Sequence, residues 1–154
     1  RSQEFDNNTN MFVNNRDASF TMRIYYEKYL KTGNLSPLPR RTDYGRWIAD
    51  NYKTYTGHNM SYDSISVTSI TLSDGTWVVI DGVYITIDIN GWKKGPNKLG
   101  HDFFMFQIIN GHLTPMGATG TRWTICSKTS TSTLNGRGCT AKALADKDYF
   151  KNLP

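Results

Sequence analysis

The order of patterns along the chain predicts an α+β domain: helical periodicity before about residue 58, alternation of apolar and polar residues after Ser61, and turn dipeptides between the alternating runs. Helices first and strands after place the helices on an antiparallel sheet, here of about four strands. A length of 154 residues suits one domain, 1–154, with 1–57 mainly helical and 58–154 mainly strands and loops. Hydrophobic residues at 38% and aromatics at 13% supply enough apolar surface for a packed core and exclude a disordered chain.

The opening RSQEFDNNTNMFVNN is polar with little periodicity and reads as a frayed helix end or loop. In TMRIYYEKYLKTG, Met22, Tyr26, Tyr29 and Leu30 form one apolar stripe, while Arg23, Glu27 and Lys31 form a charged i, i+4 ladder. Gly33 stops that helix, and Pro37 and Pro39 make a linker. A second short helix is expected in RTDYGRWIADNY, with Tyr44, Trp47, Ile48 and Tyr52 on one face. SISVTSITL and TWVVI then read as strands joined at Asp74-Gly75, a strong hairpin signal. Val83, Ile85, Ile87 and Ile89 alternate with Tyr84, Thr86 and Asp88 as a half-buried strand. FFMFQII, 103–109, is apolar on both faces, so it belongs at the centre of the sheet, covered on each side, before Asn110-Gly111 turns the chain again.

Charge is uneven. Residues 1–53 carry a net +3, residues 54–91 hold four Asp and no Lys or Arg, and residues 92–154 carry a net +6. A basic C-terminal third suits nucleic acid, anionic lipid or an acidic partner, but without a run of consecutive basic residues a solvated surface is the simpler reading. Trp92, Trp123 and Tyr149 would be the stacking surfaces of a binding module for DNA or glycan, with Lys93, Lys94, Lys98 and Arg122 as its charges. Catalysis has little to stand on. The sequence has no HExxH, GxSxG, P-loop or GxGxxG motif; His58, His101 and His112 are scattered through turns, and Asp63 and Asp74 read as turn formers more than general acids. The chain is read as a protein that is not an enzyme.

Cys126 and Cys139 bracket CSKTSTSTLNGRGC, which has little apolar material to hold it. A disulfide there is favoured over two free thiols, and it implies an oxidising compartment. The most distinctive stretch is DINGWKKGPNKLGHDFF, 88–104. Asp88, Asn90 and Asp102 are candidate oxygen ligands for Ca²⁺, although the Glu that completes an EF-hand is missing. The competing reading, ranked ahead, has the carboxylates capping backbone N–H groups or pairing with Lys93, Lys94 or Lys98. Gly95 and Pro96 permit and fix unusual backbone angles, and Asn97 suits an Asx turn.

That stretch resembles the globular part of type IV pilin-like proteins, the prepilin-type family of pilins and type II secretion pseudopilins, in which a loop (V/I)DxNGxKGPNxxGxDxFxF links two strands. Asp88, Asn90, Gly91, Lys93 or Lys94, Gly95, Pro96, Asn97, Gly100, Asp102, Phe104 and Phe106 match it, and Gly138, Cys139 and Ala141 match a later Gly-Cys-(Thr/Ala)-Ala motif. Trp92 and one extra Lys before Gly95 depart from the pattern. YYEKYLKTGN and NYKTYTG look like segments that follow the long pilin helix, so the resemblance spans most of the chain.

The resemblance implies a structural subunit, major or minor, of a pilus-like or secretion filament on the bacterial cell surface. It implies an apolar helix upstream of Arg1 that anchors the subunit in the inner membrane before assembly, and polar first residues that form the tail of that helix against the sheet. Its partners would be other pilin subunits and, at the surface, DNA or a host ligand. It would put the region stapled by Cys126 and Cys139 on the exposed side of the filament.

Overall fold

A computed structural model describes residues 44–62 and 68–154. The expected helix around residues 22–30, its flanking segments and all of SISV lie outside those residues. Helix α1 is Tyr44–Asn51. It is shorter than the expected helical region, because from Tyr52 the backbone leaves the helix for isolated bridges, Lys53 with Asn59 and Lys53 with Lys98.

Five strands follow: β1 Thr68–Thr71, β2 Trp77–Asp81, β3 Tyr84–Asp88, β4 Phe103–Ile109 and β5 His112–Pro115. They form one antiparallel meander in sequence order, so each strand pairs with the next and register is set locally. The β1–β2 turn falls at Asp74-Gly75, where the Asp74 carboxylate accepts from Thr76 N at 2.9 Å. The β4–β5 turn falls at Asn110-Gly111, with both residues at positive φ (50° and 78°) and Ile109 opposite His112, the geometry of a two-residue hairpin. Among the described residues the sheet has five strands, one more than the about four expected. The extra one, HLTP, carries no alternation and ends in Pro115, which suits an edge strand that needs no ladder N–H.

Register sorts the side chains onto two apolar faces. On one, Trp77 opposes Asp88 and Val79 opposes Thr86, while Phe103 and Met105 sit opposite Asp88 and Thr86 from the other side. This face packs with Ile48 and Tyr52 of α1 and its exit, and with Met60, Tyr62, Leu99 and Met116. On the other face Ile70, Val78, Ile80 and Ile85 form a second buried cluster with Leu72, Ile87, Phe106 and Ile108. The central placement expected for FFMFQII follows: β4 lies between β3 and β5 and contributes to both faces.

After β5 the chain runs as loop into helix α2, Cys139–Ala145, and a single 3₁₀ turn at Tyr149–Asn152. The sequence reading placed no helix here, although Ala, Lys and Leu are strong helix formers. Cys139 and Tyr149 pack with Tyr55 and Phe104 in a third cluster. Cys126 and Cys139 are joined as a disulfide. Among the described residues no helix is long and apolar enough to cross a membrane.

Candidate functional site

The β3–β4 connection carries the motif residues, and its geometry comes from two buried carboxylates. Asp88 is fully buried. Its Oδ1 accepts from Asn90 N at 3.2 Å and Gly91 N at 2.8 Å, and its Oδ2 accepts from the Tyr52 hydroxyl at 2.5 Å. Asp102 is 2% exposed, and its two oxygens accept from Lys98 N at 2.7 Å and Asn97 N at 2.8 Å. Ile89 N donates to the Asp102 carbonyl, closing the base of the loop. Each carboxylate caps N–H groups that an irregular backbone leaves without ladder partners.

The two Asn side chains complete the clasp. Asn90 Nδ2 donates to Gly95 O and Asn97 Nδ2 to Trp92 O, both at 3.1 Å. The Gly95-Pro96 peptide is cis, and Asn97 sits at φ 52°. Gly91 is required by contact: a Cβ there would stand 2.4 Å from the Gly75 carbonyl, at φ 83°. Gly100, at φ 74°, meets Tyr149 Oη, Cys139 Cβ and Tyr55 Cδ2 at 2.8–2.9 Å from any added Cβ. The Tyr149 hydroxyl donates to Gly100 O at 2.7 Å. The loop is thereby fastened to the disulfide-bonded region.

Electrostatics follow burial. Desolvation raises the Asp88 carboxyl above the ordinary carboxylate value, only partly opposed by the Tyr52 hydrogen bond, and the charge of Asp102 raises it further. Burial, reinforced by Asp88, also raises the Tyr52 phenol, so it remains a donor. Burial lowers His101, whose Nε2 lies 3.0 Å from Tyr55 O. Among the described residues no group of three or more His, Cys, Asp or Glu is placed to share a metal ion. Of the proposed calcium ligands, Asp88 and Asp102 face the loop's own N–H groups, and Asn90 Oδ1 is buried without a partner.

Tyr149, expected as a stacking surface, is instead 2% exposed and packed in the third core cluster, and the remaining basic and aromatic candidates separate into two places. Trp92 packs edge-on against Trp47 at 5.8 Å between centroids, with exposed Lys93 over its ring at 5.1 Å. Lys94 is exposed and Lys98 half-buried. Arg122 and Trp123 lie instead beside β3: Arg122 Nη1 donates to the Tyr84 hydroxyl at 3.3 Å, and the Tyr84 and Trp123 rings are 5.0 Å apart. Arg137, only 6% exposed, stacks on Trp123 at 4.2 Å, and Arg122 approaches the same ring at 4.9 Å. Together with Tyr62, Asp81 and Met105 these residues line a cleft of about 300 Å³.

Tyr62, Asp81, Tyr84 and Arg137 were not singled out from sequence. The one usable signal was Arg137 between two glycines beside a cysteine. Inside the disulfide loop, buried Asn135 was missed as well. Its amide accepts from Ser127 N and donates to Ser127 O and Ser130 O at 2.9–3.0 Å, which orders a segment with little apolar content.

No protein-family model, curated protein or solved structure matches the chain.

Proposed function

We propose that the chain is the head domain of a structural subunit, pilin or pseudopilin, in an extracellular filament of the type IV kind. The observation that carries this reading is the outer face of the sheet. Ile70, Val78, Ile80 and Ile85 are 0–8% exposed, yet the described residues packed on them, Leu72, Ile87, Phe106 and Ile108, come from the sheet and its flank. An apolar sheet face needs a cover, and the stripe of Met22, Tyr26, Tyr29 and Leu30 upstream has the periodicity to supply one. A helix laid along a meander, with a loop clasp and a disulfide-stapled C-terminal region, is the layout such a subunit requires.

Beside that face, Ile87, Ile89, Phe104, Phe106, Ala143, Leu144 and Phe150 line an apolar groove of about 220 Å³. Ile89, Leu144 and Phe150 are 53–69% exposed, and contiguous exposed apolar surface of this kind marks a protein contact. The proposed occupant is a neighbouring copy of the chain in the filament. A separate apolar helix preceding Arg1 would anchor the subunit in the inner membrane before assembly. The test is immunogold electron microscopy of filaments sheared from source cells, using antibody raised against this domain. Decoration along the filaments supports the reading, and label confined to soluble secreted material refutes it.

A second reading, a secreted binding module for DNA or glycan, is favoured by one feature, the Arg122, Trp123 and Arg137 stack. Binding to single-stranded DNA that weakens steeply with salt would identify the nucleic-acid form of it.

A further inference from the structure

Three of the chain's four tryptophans and one buried tyrosine meet in series. Trp92 and Trp47 are half-buried, so the series begins near the surface. Their rings lie edge to face with centroids 5.8 Å apart. From Trp47 one branch reaches Tyr52 directly at 6.4 Å, and a second passes through Trp77 at 5.9 Å and on to Tyr52 at 6.0 Å. Such contacts pack a core, but indole and phenol are also the aromatic side chains that give up one electron most readily. Electron tunnelling weakens exponentially with separation, so rings in contact pass an electron by short steps where one long step fails. Phe103 touches both Tyr52 and Trp77, but its ring is too hard to oxidise to extend the series.

Proton chemistry gives the series an end. Trp77 is fully buried, and its indole N–H has no acceptor among the described residues. An oxidised Trp77 therefore keeps its proton, and the charge moves on. Tyr52 is the opposite case, because its hydroxyl donates to Asp88 Oδ2 at 2.5 Å. Losing the proton together with the electron makes a phenol far easier to oxidise than losing the electron alone. Burial raises the Asp88 carboxyl, which makes it a better proton acceptor. Its Oδ1 keeps the Asn90 and Gly91 N–H groups when Oδ2 takes the proton, so the loop clasp survives the transfer. At the outer end the Lys93 ammonium stands 5.1 Å over Trp92; it disfavours a second positive charge there and drives that charge inward.

We propose that Trp92, Trp47 and Tyr52, with Trp77 in parallel, form a relay that delivers one electron from buried Tyr52 to a one-electron oxidant beside Trp92, a small radical or an oxidised metal complex. The oxidant gains one electron, Trp92 is refilled from Trp47, and Trp47 is refilled from Tyr52. The Tyr52 hydroxyl proton moves to Asp88 Oδ2, which leaves a neutral tyrosyl radical beside a carboxylic acid. The relay lies within the described residues and does not depend on the filament reading.

The test places the oxidant at a known position. Lys94→Cys, at an exposed site, is alkylated with a tris(bipyridyl)ruthenium label while the Cys126–Cys139 disulfide stays intact. Flash photolysis with a sacrificial electron acceptor generates ruthenium(III), and the radicals that follow are read by transient absorption and EPR. The expected result is a tyrosyl radical that vanishes in Tyr52→Phe, where an indole radical takes its place. Trp47→Phe cuts both branches and abolishes the tyrosyl signal. Trp92→Phe, at the outer end of the series, abolishes it too, so the reading rests on two separate cuts. Trp123→Phe, off the path, leaves it unchanged. Asp88→Asn keeps the shape of the side chain but takes up no proton, and it holds the charge on indole. Decay of ruthenium(III) without a tyrosyl radical in the labelled protein overturns the proposal. So does a tyrosyl signal undiminished in Tyr52→Phe, or undiminished in both Trp47→Phe and Trp92→Phe.

Discussion

Replacing Tyr52 with Phe isolates the bond that joins the loop clasp to the core. The ring stays: Tyr52 is fully buried, its centroid 4.2 Å from Phe103 and 6.0 Å from Trp77, and Phe fills the same space. What goes is the hydroxyl that donates to Asp88 Oδ2 at 2.5 Å, leaving a buried carboxylate with only the Asn90 and Gly91 N–H groups. A hydrogen bond to a charged group contributes about 1.5–3 kcal/mol. With an unfolding entropy of roughly 2.1 cal/mol/K per residue over 154 residues, that loss lowers Tm by about 5–9 °C near neutral pH.

The pH dependence gives the sharper check. Burial raises the Asp88 carboxyl, so the folded state takes up a proton more readily than the unfolded state, and this group's contribution is greatest in acid and declines as pH rises through its raised value. Without the Tyr52 hydroxyl that value rises further. The cost of Tyr52→Phe is therefore largest when Asp88 is ionised and shrinks as pH falls. Urea denaturation of both proteins across the acidic-to-neutral range reads it. A cost below about 0.5 kcal/mol with unchanged m-value, or one that grows towards acid, would refute the reasoning.

Asp88→Asn, by the same linkage, flattens the decline of stability between acidic and neutral pH, read from the same denaturation series. Gly100→Ala forces a Cβ against three atoms at a positive φ and costs about 3 kcal/mol or more, measured from the denaturant midpoint. The double substitution of Cys126 and Cys139 by Ser, which opens a loop of sequence separation 13, lowers stability by about 3 kcal/mol in the chain-entropy model. Millimolar Ca²⁺ leaves Tm unchanged, because Asp88 and Asp102 already cap backbone N–H groups; a rise in Tm that Asp88→Ala abolishes would restore the calcium reading. Leu144→Asp, at a position 69% exposed, keeps Tm within about 2 °C but prevents incorporation into filaments, scored by complementation of a deletion strain.

The meander was legible because its signals are local. Asp74-Gly75 and Asn110-Gly111 mark turns by their own chemistry, and the alternation from Tyr84 to Asp88 is set by the pleat. β5 was not legible, since four residues ending in proline carry no periodicity. The helix at Cys139–Ala145 was hidden by reading the Cys-bounded segment and its surroundings as loop. At the β3–β4 connection, sequence identified the residues and both of their competing roles. The choice of donors needed coordinates, because Tyr52 lies far from Asp88 along the chain. The cleft was the least legible feature. Tyr62, Asp81, Tyr84, Arg122 and Arg137 come from separate segments, and only the fold brings them to one wall.

The filament reading is tested most directly at the N-terminus of the natural protein, by mass spectrometry on sheared surface material and on membranes from the source cells. The account predicts a methylated first residue followed by an unbroken apolar helix leading into Arg1. A conventional signal peptide cleaved just before Arg1 would contradict it and leave a free secreted domain.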